Sequence, residues 1–150
     1  MIVEAQVIVN GTKAAVWAVM TDIEHAAEIL SGAESIEIVE KPASGLVGTR
    51  WRETRMYFGK PATVEKQITE AIENDYYKTR AEDSGFVFLA TMSISDGGAD
   101  GCLKLTSSHD TRPQGFVAKL KSAPTIFFKG VIRKALLQDL NDIKAAVEKD

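Results

Sequence analysis

The side chains best suited to chemistry lie in one stretch, where a tryptophan, an acid, a base and a tyrosine alternate. In an extended strand, alternate side chains point to the same face. The four that would share a face are Trp51, Glu53, Arg55 and Tyr57. The acid and the base lie about 6–7 Å apart at the backbone and could pair. They form either a salt bridge on the solvated convex face of a sheet or a polar group inside a cavity, where an unpaired charge would be very costly.

A histidine follows two leucines with the same period of two. Leu103, Leu105 and His109 would share a strand face, and the leucines indicate that it is the inner one. At the end of a cavity, His109 could accept a proton or hydrogen-bond a ligand carbonyl or hydroxyl. A partly exposed histidine at a strand end is the alternative, since no acid partner is fixed by spacing. His25 is expected at the surface or at a cavity rim.

The sequence lacks the residue patterns typical of disulfides, metal sites, catalytic triads and nucleic-acid binding. The single cysteine, Cys102, cannot form an internal disulfide or a cysteine-based zinc site, and the two histidines lack metal-ligand spacing. The run Ser107-Ser108-His109-Asp110 contains the residue types of a catalytic triad, but adjacent strand residues point to opposite faces and cannot form a nucleophile-to-base relay by themselves. A net charge of −3 disfavours binding to nucleic acid. We therefore expect no metal, no cofactor and no nucleic-acid partner.

Composition and hydropathy indicate the class of protein. The 150 residues are 45% hydrophobic and 26% charged, which is typical of one globular domain spanning residues 1–150. Apolar runs end well before the roughly 18 residues of a membrane span. The first residues lack the basic and apolar segments of a signal peptide. We expect a cytoplasmic monomer or homodimer without stable membrane insertion.

The apolar periodicity predicts a β-strand, two short helices, six further strands and a long helix, in that order. The first strand covers Ile2 to Val9, and Thr12 and Asp22 are candidate N-caps of the two short helices. Turn residues separate the later strands, and such short connections favour antiparallel neighbours. The six later strands are predicted at Ser35–Glu40, Val47–Phe58, Ala62–Ala71, Tyr76–Glu82, Phe86–Ser95 and Cys102–Thr111.

An apolar stripe predicts the long C-terminal helix, which needs a partner as broad as a sheet. Pro124 predicts a kink or a helix start near that residue. The stripe consists of Phe128, Ile132, Leu136, Leu140, Ile143 and Val147. The charged residues placed away from the stripe are Lys134, Asp139, Asp142 and Lys149.

This order of elements resembles the helix-grip fold. The segments that carry the resemblance are Val16-Trp17-Ala18-Val19-Met20-Thr21-Asp22, Val47-Gly48-Thr49-Arg50-Trp51-Arg52-Glu53-Thr54-Arg55, and Phe58-Gly59. The chain is similar to the SRPBCC superfamily, which includes START and polyketide-cyclase-like proteins related to the birch pollen allergen. The resemblance covers nearly the whole chain. It implies an α+β fold: a seven-stranded curved antiparallel sheet wrapped around a long C-terminal helix, with two short helices after the first strand.

The resemblance also implies a cavity between sheet and helix that takes a small hydrophobic ligand: a lipid, an isoprenoid or an aromatic metabolite. Glu53, Arg55 and His109 would fix a polar end of the ligand, and Arg55→Ala is expected to weaken binding with little loss of stability. Simple core packing is the alternative for each apolar residue. The candidate ligand-binding residues are Trp51, Glu53, Arg55, Tyr57, Phe86, Phe88, Met92, His109, Phe128, Val131, Ile132 and Ala135.

Two other functions remain open. A polyketide cyclase/dehydratase-like enzyme would use acid–base groups in the same cavity, and its catalytic candidates are His109, Glu53 and Arg55. A protein-interaction module would need a large exposed apolar patch or a run of one charge. The sequence has no such charge run, so this hypothesis ranks last.

Overall fold

A computed structural model describes residues 1–115 and 129–149. The described part contains seven strands, a 3₁₀ turn and three α-helices. The strands are β1 (Ile2–Asn10), β2 (Ala33–Glu40), β3 (Arg50–Tyr57), β4 (Lys60–Ile72), β5 (Tyr76–Asp83), β6 (Phe86–Asp96) and β7 (Cys102–Pro113). The helices are α1 (Lys13–Met20), α2 (Ala26–Ile29), which follows a 3₁₀ turn over Ile23–His25, and α3 (Lys129–Glu148).

The strands form one curved antiparallel sheet in the order β1-β7-β6-β5-β4-β3-β2. Strands β2 to β7 pair with their neighbours in sequence, whereas β1 pairs with β7, with Ile2 opposite Asp110. The long helix α3 lies against the concave side. This arrangement confirms the predicted helix-grip fold.

The sheet and α3 share one apolar core. Val3 and Val9 of β1 point inward and are fully buried, as the period of two predicted. Leu136, Leu140 and Ile143 of the predicted helical stripe are buried in the same core. Ile132 and Val147 pack against its edge, while the predictions made on Pro124 and Phe128 lie outside the described residues.

The two short helices follow β1, but their local structure differs from the prediction. Thr12 caps α1 as expected, because its side-chain oxygen accepts a hydrogen bond from the backbone N–H of Ala15 at 3.1 Å. Asp22 does not cap the second helix through its side chain, which binds the ring of His25 at 2.9 Å instead. The second helix is therefore a 3₁₀ turn followed by one turn of α-helix.

Strand β3 is shorter than the predicted Val47–Phe58. A turn delays its start, since the backbone N–H of Thr49 donates to Leu46 O at 3.0 Å and Gly48 has a φ of 99°. Phe58 has a φ of 52°, which is turn geometry rather than extended backbone, so β3 ends at Tyr57. Every other strand end lies within two residues of its predicted position.

Side chains of α3 hydrogen-bond to the free edge of β1. Arg133 Nε donates to the backbone oxygen of Glu4 at 3.3 Å, and Lys144 Nζ donates to that of Ile8 at 2.7 Å. The backbone N–H of Asn10 donates to Glu148 Oε2 at 3.0 Å. These contacts hold α3 across the sheet, where it covers the cavity described below.

Candidate functional site

Two adjoining chambers lie between the concave face of the sheet and α3. The inner chamber has a volume of about 90 Å³ and is bounded by α1, the 3₁₀ turn, α2 and the middle of the sheet. The outer chamber has a volume of about 370 Å³ and lies between the β3–β4 hairpin and the first turns of α3. The cavity therefore has a small inner part and a larger part toward the hairpin.

Apolar side chains form most of the described wall of the outer chamber. The strands and α3 contribute to it from opposite sides, and its apolar residues include Val64, Ala81, Phe88, Val131, Ile132 and Ala135. At its outer end stand Tyr57, which is 45% exposed, and Phe58, which is 77% exposed. This chamber suits a molecule with an apolar body.

A polar partition separates the two chambers. Five residues line both of them: Arg55, Lys66, His109, Leu136 and Asp139. They come from β3, β4, β7 and α3, so the partition joins the sheet to the helix. Four of the five are titratable.

An ion network organises the partition. Arg55 Nη1 and Nη2 donate to the two carboxylate oxygens of Asp139 at 3.0 and 2.8 Å, which is a bidentate pair. Arg55 Nε donates to Glu53 Oε2 at 2.6 Å, and Lys66 Nζ donates to the same oxygen at 3.0 Å. Trp51 Nε1 donates to Glu53 Oε1 at 3.2 Å. Two acids and two bases thus balance one another away from bulk water.

The sequence places these groups together for local reasons. Trp51, Glu53 and Arg55 alternate with outward-facing residues along β3, and Lys66 of β4 lies opposite Trp51 in the strand register. The turn before β2 leaves room for the guanidinium, because a Cβ added at Gly32 would lie 3.0 Å from Arg55 Nη1.

Burial and charge act against each other on the ion network. Burial alone would raise the pKa of Glu53, but the charges and hydrogen bonds of Lys66 and Arg55 outweigh it and lower that pKa to about 2. Burial disfavours the charged form of Arg55, yet its bonds to Asp139 and Glu53 raise its pKa above the ordinary value. Burial raises the pKa of Asp139 despite the opposing bonds from Arg55. Both oxygens of Asp139 accept a hydrogen bond, so the paired form is the carboxylate.

His109 is neutral in this environment. Burial lowers its pKa, and the charges of Lys66 and Arg55 add to the effect against the opposing charge of Glu53, so that its pKa is about 4. None of the described residues forms a hydrogen bond with its ring. A neutral imidazole facing a cavity can accept a proton or a hydrogen bond from a bound molecule.

The described residues contain no group of three or more His, Cys, Asp or Glu side chains arranged to hold a metal ion. No helix in the described ranges is both long and apolar enough to cross a membrane.

A family model matches residues 1–148, and its description is "Polyketide cyclase / dehydrase and lipid transport". The match spans nearly the entire chain. The chain belongs to this cyclase and lipid-transport family. No curated protein matches it in sequence.

Solved structures similar to this family member share its fold. A START superfamily protein from Mycobacterium smegmatis has a TM-score of 0.79 at 15% identity, covering 99% of this chain and 97% of that one. The Zhui aromatase/cyclase from Streptomyces sp. R1128 has a TM-score of 0.76 at 20% identity, with coverages of 99% and 94%. Norcoclaurine synthase from Thalictrum flavum, in truncated form, has a TM-score of 0.75 at 17% identity, with coverages of 100% and 94%. These neighbours confirm the helix-grip fold, and the family match over residues 1–148 confirms the resemblance to the SRPBCC superfamily.

In this member of the cyclase and lipid-transport family, most of the predicted site residues line the cavity. Trp51, Glu53, Arg55, Met92 and His109 line the inner chamber. Arg55 and His109 also line the outer one, together with Tyr57, Phe88, Val131, Ile132 and Ala135. The interpretation of Glu53 and Arg55 as a solvated pair on the convex face is wrong, since both face the helix.

Three sequence expectations differ from the structure or lie outside it. His109 stands at the partition rather than at the cavity end. Phe86 lines neither chamber, because it is the first residue of β6 and lies opposite Pro113; its ring packs 6.4 Å from that of Phe88. Phe128 lies outside the described residues. His25 is exposed and pairs with Asp22, which agrees with the surface position expected for it.

Sequence reasoning missed two members of the ion network. Asp139 was placed away from the apolar stripe, but it lies three residues after Leu136 and four before Ile143, which is the spacing of the stripe itself. Lys66 shares the period of two with Val64 and Ile68, so the alternation of β4 indicated that it faces inward. Both signals were in the sequence, but a charge is ordinarily expected to face water.

Proposed function

We propose that this protein binds one small hydrophobic molecule, with its apolar body in the outer chamber and its polar end at the partition. The observation that carries the proposal is a chamber of about 370 Å³ with largely apolar walls that ends at Arg55, Lys66 and His109. An apolar pocket with a few convergent polar groups is the usual form of a small-molecule site. The family description, which names lipid transport, also supports it.

The ligand classes that suit this cavity are a lipid, an isoprenoid or an aromatic metabolite. Phe88, Val131, Ile132 and Ala135 would contact the apolar body. The polar end would meet the imidazole of His109 or the ammonium of Lys66. The proposal includes a cytoplasmic protein that acts as a monomer or homodimer, without nucleic acid, cofactor or stable membrane insertion.

Native mass spectrometry of the protein purified from cells tests this proposal. We expect a discrete excess mass that disappears under denaturing conditions, or, for protein purified without its ligand, binding of the uncharged apolar dye Nile red. Ala135→Phe should abolish either signal, because Ala135 lines the outer chamber. Ala145→Phe is the matched control, because Ala145 is an exposed residue of the same helix. Equal binding by both variants, or no binding by the wild type, would overturn the proposal.

A second candidate function is a cyclase/dehydratase-like enzyme, which the neutral, cavity-facing imidazole of His109 favours. His109 would take a proton from a carbon beside a substrate carbonyl, and the resulting enolate would attack a second carbonyl to close a ring. The proton would return to the new alkoxide, and loss of water would follow. The names of the aromatase/cyclase neighbours support this candidate.

Turnover of a linear polyketone by His109→Gln distinguishes the two candidates. An enzyme should lose cyclisation in this variant while it retains Nile red binding, because a glutamine cannot relay the proton. Undiminished turnover would remove His109 from the mechanism. A wild-type protein that binds the polyketone without converting it would leave binding as the function.

A further inference from the structure

We propose that the cavity selects uncharged ligands that end in a carbonyl or hydroxyl oxygen, and that it rejects carboxylates and phosphates. This inference rests on the proposed binding function and specifies the chemistry of its ligand. It follows from the charges of the described wall and from the hydrogen-bonding groups at the partition.

The internal charges of the cavity are already satisfied. Glu53 accepts from Arg55 and Lys66, and Asp139 accepts both of its bonds from Arg55. Arg55 and Lys66 are therefore each already paired with a carboxylate. A ligand carboxylate would have to compete with Glu53 or Asp139 for the same donors.

The rims of the two chambers add negative charge. Asp22 lines the inner chamber and Asp83 lines the outer one. Their local partners are the ring of His25 and the hydroxyl of Ser84. The described walls thus carry four carboxylates, Asp22, Glu53, Asp83 and Asp139, against the two cations Arg55 and Lys66. A buried anion would meet an excess of like charge, which is unfavourable.

An uncharged oxygen avoids this cost and still finds donors. Lys66 has three N–H donors, and Glu53 is the one acceptor that the described residues give it. The neutral imidazole of His109 offers one donor and one acceptor. A carbonyl or hydroxyl at the partition can therefore be hydrogen-bonded without adding a charge.

Protonation of His109 is one way to compensate an anion, and it makes the selection depend on pH. The groups facing His109 are Lys66, Arg55 and Glu53, and their combined effect with burial keeps it neutral near neutrality. Binding of a carboxylate would require uptake of a proton by the ligand or by His109. The preference for uncharged ligands should therefore narrow as the pH falls toward 4, the approximate pKa of His109.

Displacement of Nile red by three probes of nearly equal shape tests the proposal: 2-naphthamide, 2-naphthoate and naphthalene. At neutral pH we expect the amide to bind at least about tenfold more tightly than the carboxylate, with naphthalene weaker than the amide. If 2-naphthoate binds as tightly as 2-naphthamide, the proposed preference for uncharged ligands is wrong. Binding of Nile red in the same experiment would still support the proposed binding function. If neither the dye nor any probe binds, both proposals fail.

Glu53→Gln provides an independent test in the protein. The substitution removes one carboxylate and the ion pair that Glu53 forms with Lys66. The ratio of naphthoate to naphthamide affinity should therefore rise by about tenfold. Glu70→Gln is the matched control, because Glu70 lies on the exposed face of β4. An unchanged ratio in a folded Glu53→Gln variant would contradict the proposal. If the Glu53→Gln variant does not fold, the proposal is tested by the wild-type protein alone. Its affinity for 2-naphthamide should exceed that for 2-naphthoate at neutral pH, and the difference should decrease as the pH falls.

Discussion

His109 shows how a single side chain at the partition responds to its surroundings. Burial and the positive charges of Lys66 and Arg55 all favour its neutral form. A protonated His109 therefore costs free energy in the folded state that the unfolded chain avoids. The unfolded state binds the extra proton first, so acid should favour unfolding through this residue.

Stability should decrease as the pH falls from 6.5, the ordinary pKa of histidine, toward 4, the approximate pKa of His109 in the fold. This residue should contribute a loss of about 3 kcal/mol in unfolding free energy at the lower end of that range. Chemical denaturation at a series of pH values measures the loss. We expect the unfolding free energy of His109→Gln to depend less on pH than that of the wild type between pH 6.5 and 4.

His25→Gln is the control for that measurement. His25 is exposed, and its hydrogen bond with Asp22 raises rather than lowers its pKa. This variant should keep the wild-type loss between the same two pH values. A His109→Gln protein whose stability falls as steeply as the wild type would contradict the assignment.

At the scale of elements, the ion network joins β3 to α3 across the cavity. Arg55 and Asp139 lie far apart in sequence but form a bidentate pair with little exposure to solvent. Removal of one partner leaves a buried charge without its counterion. Arg55→Ala is therefore expected to lower stability as well as ligand binding, whereas the sequence alone predicted no large loss of stability.

Arg55→Met should destabilise the protein by about 3–5 kcal/mol, because Asp139 then loses both of its hydrogen-bond donors. The double variant Arg55→Met/Asp139→Leu should be less destabilised than the sum of the two single variants. Denaturant unfolding of all four proteins gives this coupling. If the stability losses of the two single variants add up to that of the double variant, the interaction between Arg55 and Asp139 contributes nothing to stability.

The apolar stripe of α3 gives a second prediction at this scale. Leu136→Ala should cost about 2–5 kcal/mol, and Leu140→Ala should cost more within that range. Leu140 is fully buried, whereas Leu136 already borders the two chambers. Thermal and denaturant unfolding measure both losses. Val131→Ala is the control and should change stability little, because Val131 is an exposed position on the same helix. A loss below about 1 kcal/mol for Leu136→Ala would contradict the packing of α3 against the sheet.

The elements were more predictable from sequence than the site. Alternation in β1 and the stripe through Leu136, Leu140 and Ile143 are local signals, and each appeared at its predicted place. The partners of Glu53 and Arg55 depend on which strand and which helix face them, and these lie far away in the sequence. Lys66 and Asp139 carried the right spacing, but only the assembled fold provides the counterions that allow their burial.

At the scale of the whole molecule, the sheet has two edges, and α3 covers one of them. Arg133, Lys144 and Glu148 bond to backbone groups of Glu4, Ile8 and Asn10 on the free side of β1. An uncovered edge strand offers unpaired backbone groups to other chains. The helix therefore protects β1 from pairing with a second molecule.

The double variant Arg133→Ala/Lys144→Ala should increase self-association, because it exposes the backbone oxygens of Glu4 and Ile8. Light scattering over a range of protein concentrations measures the effect. Lys134→Ala/Lys149→Ala removes the same formal charge from exposed positions of the chain and should not alter the scattering. Equal scattering by the two double variants would contradict a protective role.

The pairing of β1 with β7 also has a consequence for folding. Ile2 pairs with Asp110, so the first strand of the chain finds its partner only after the other six have been made. Contacts between such distant residues require a large loop to close and slow folding. During synthesis, Val3 and Val9 must remain without their final neighbours until β7 leaves the ribosome. Assembly of the cavity is therefore a late event, completed when β1 pairs with β7 and α3 packs across the sheet.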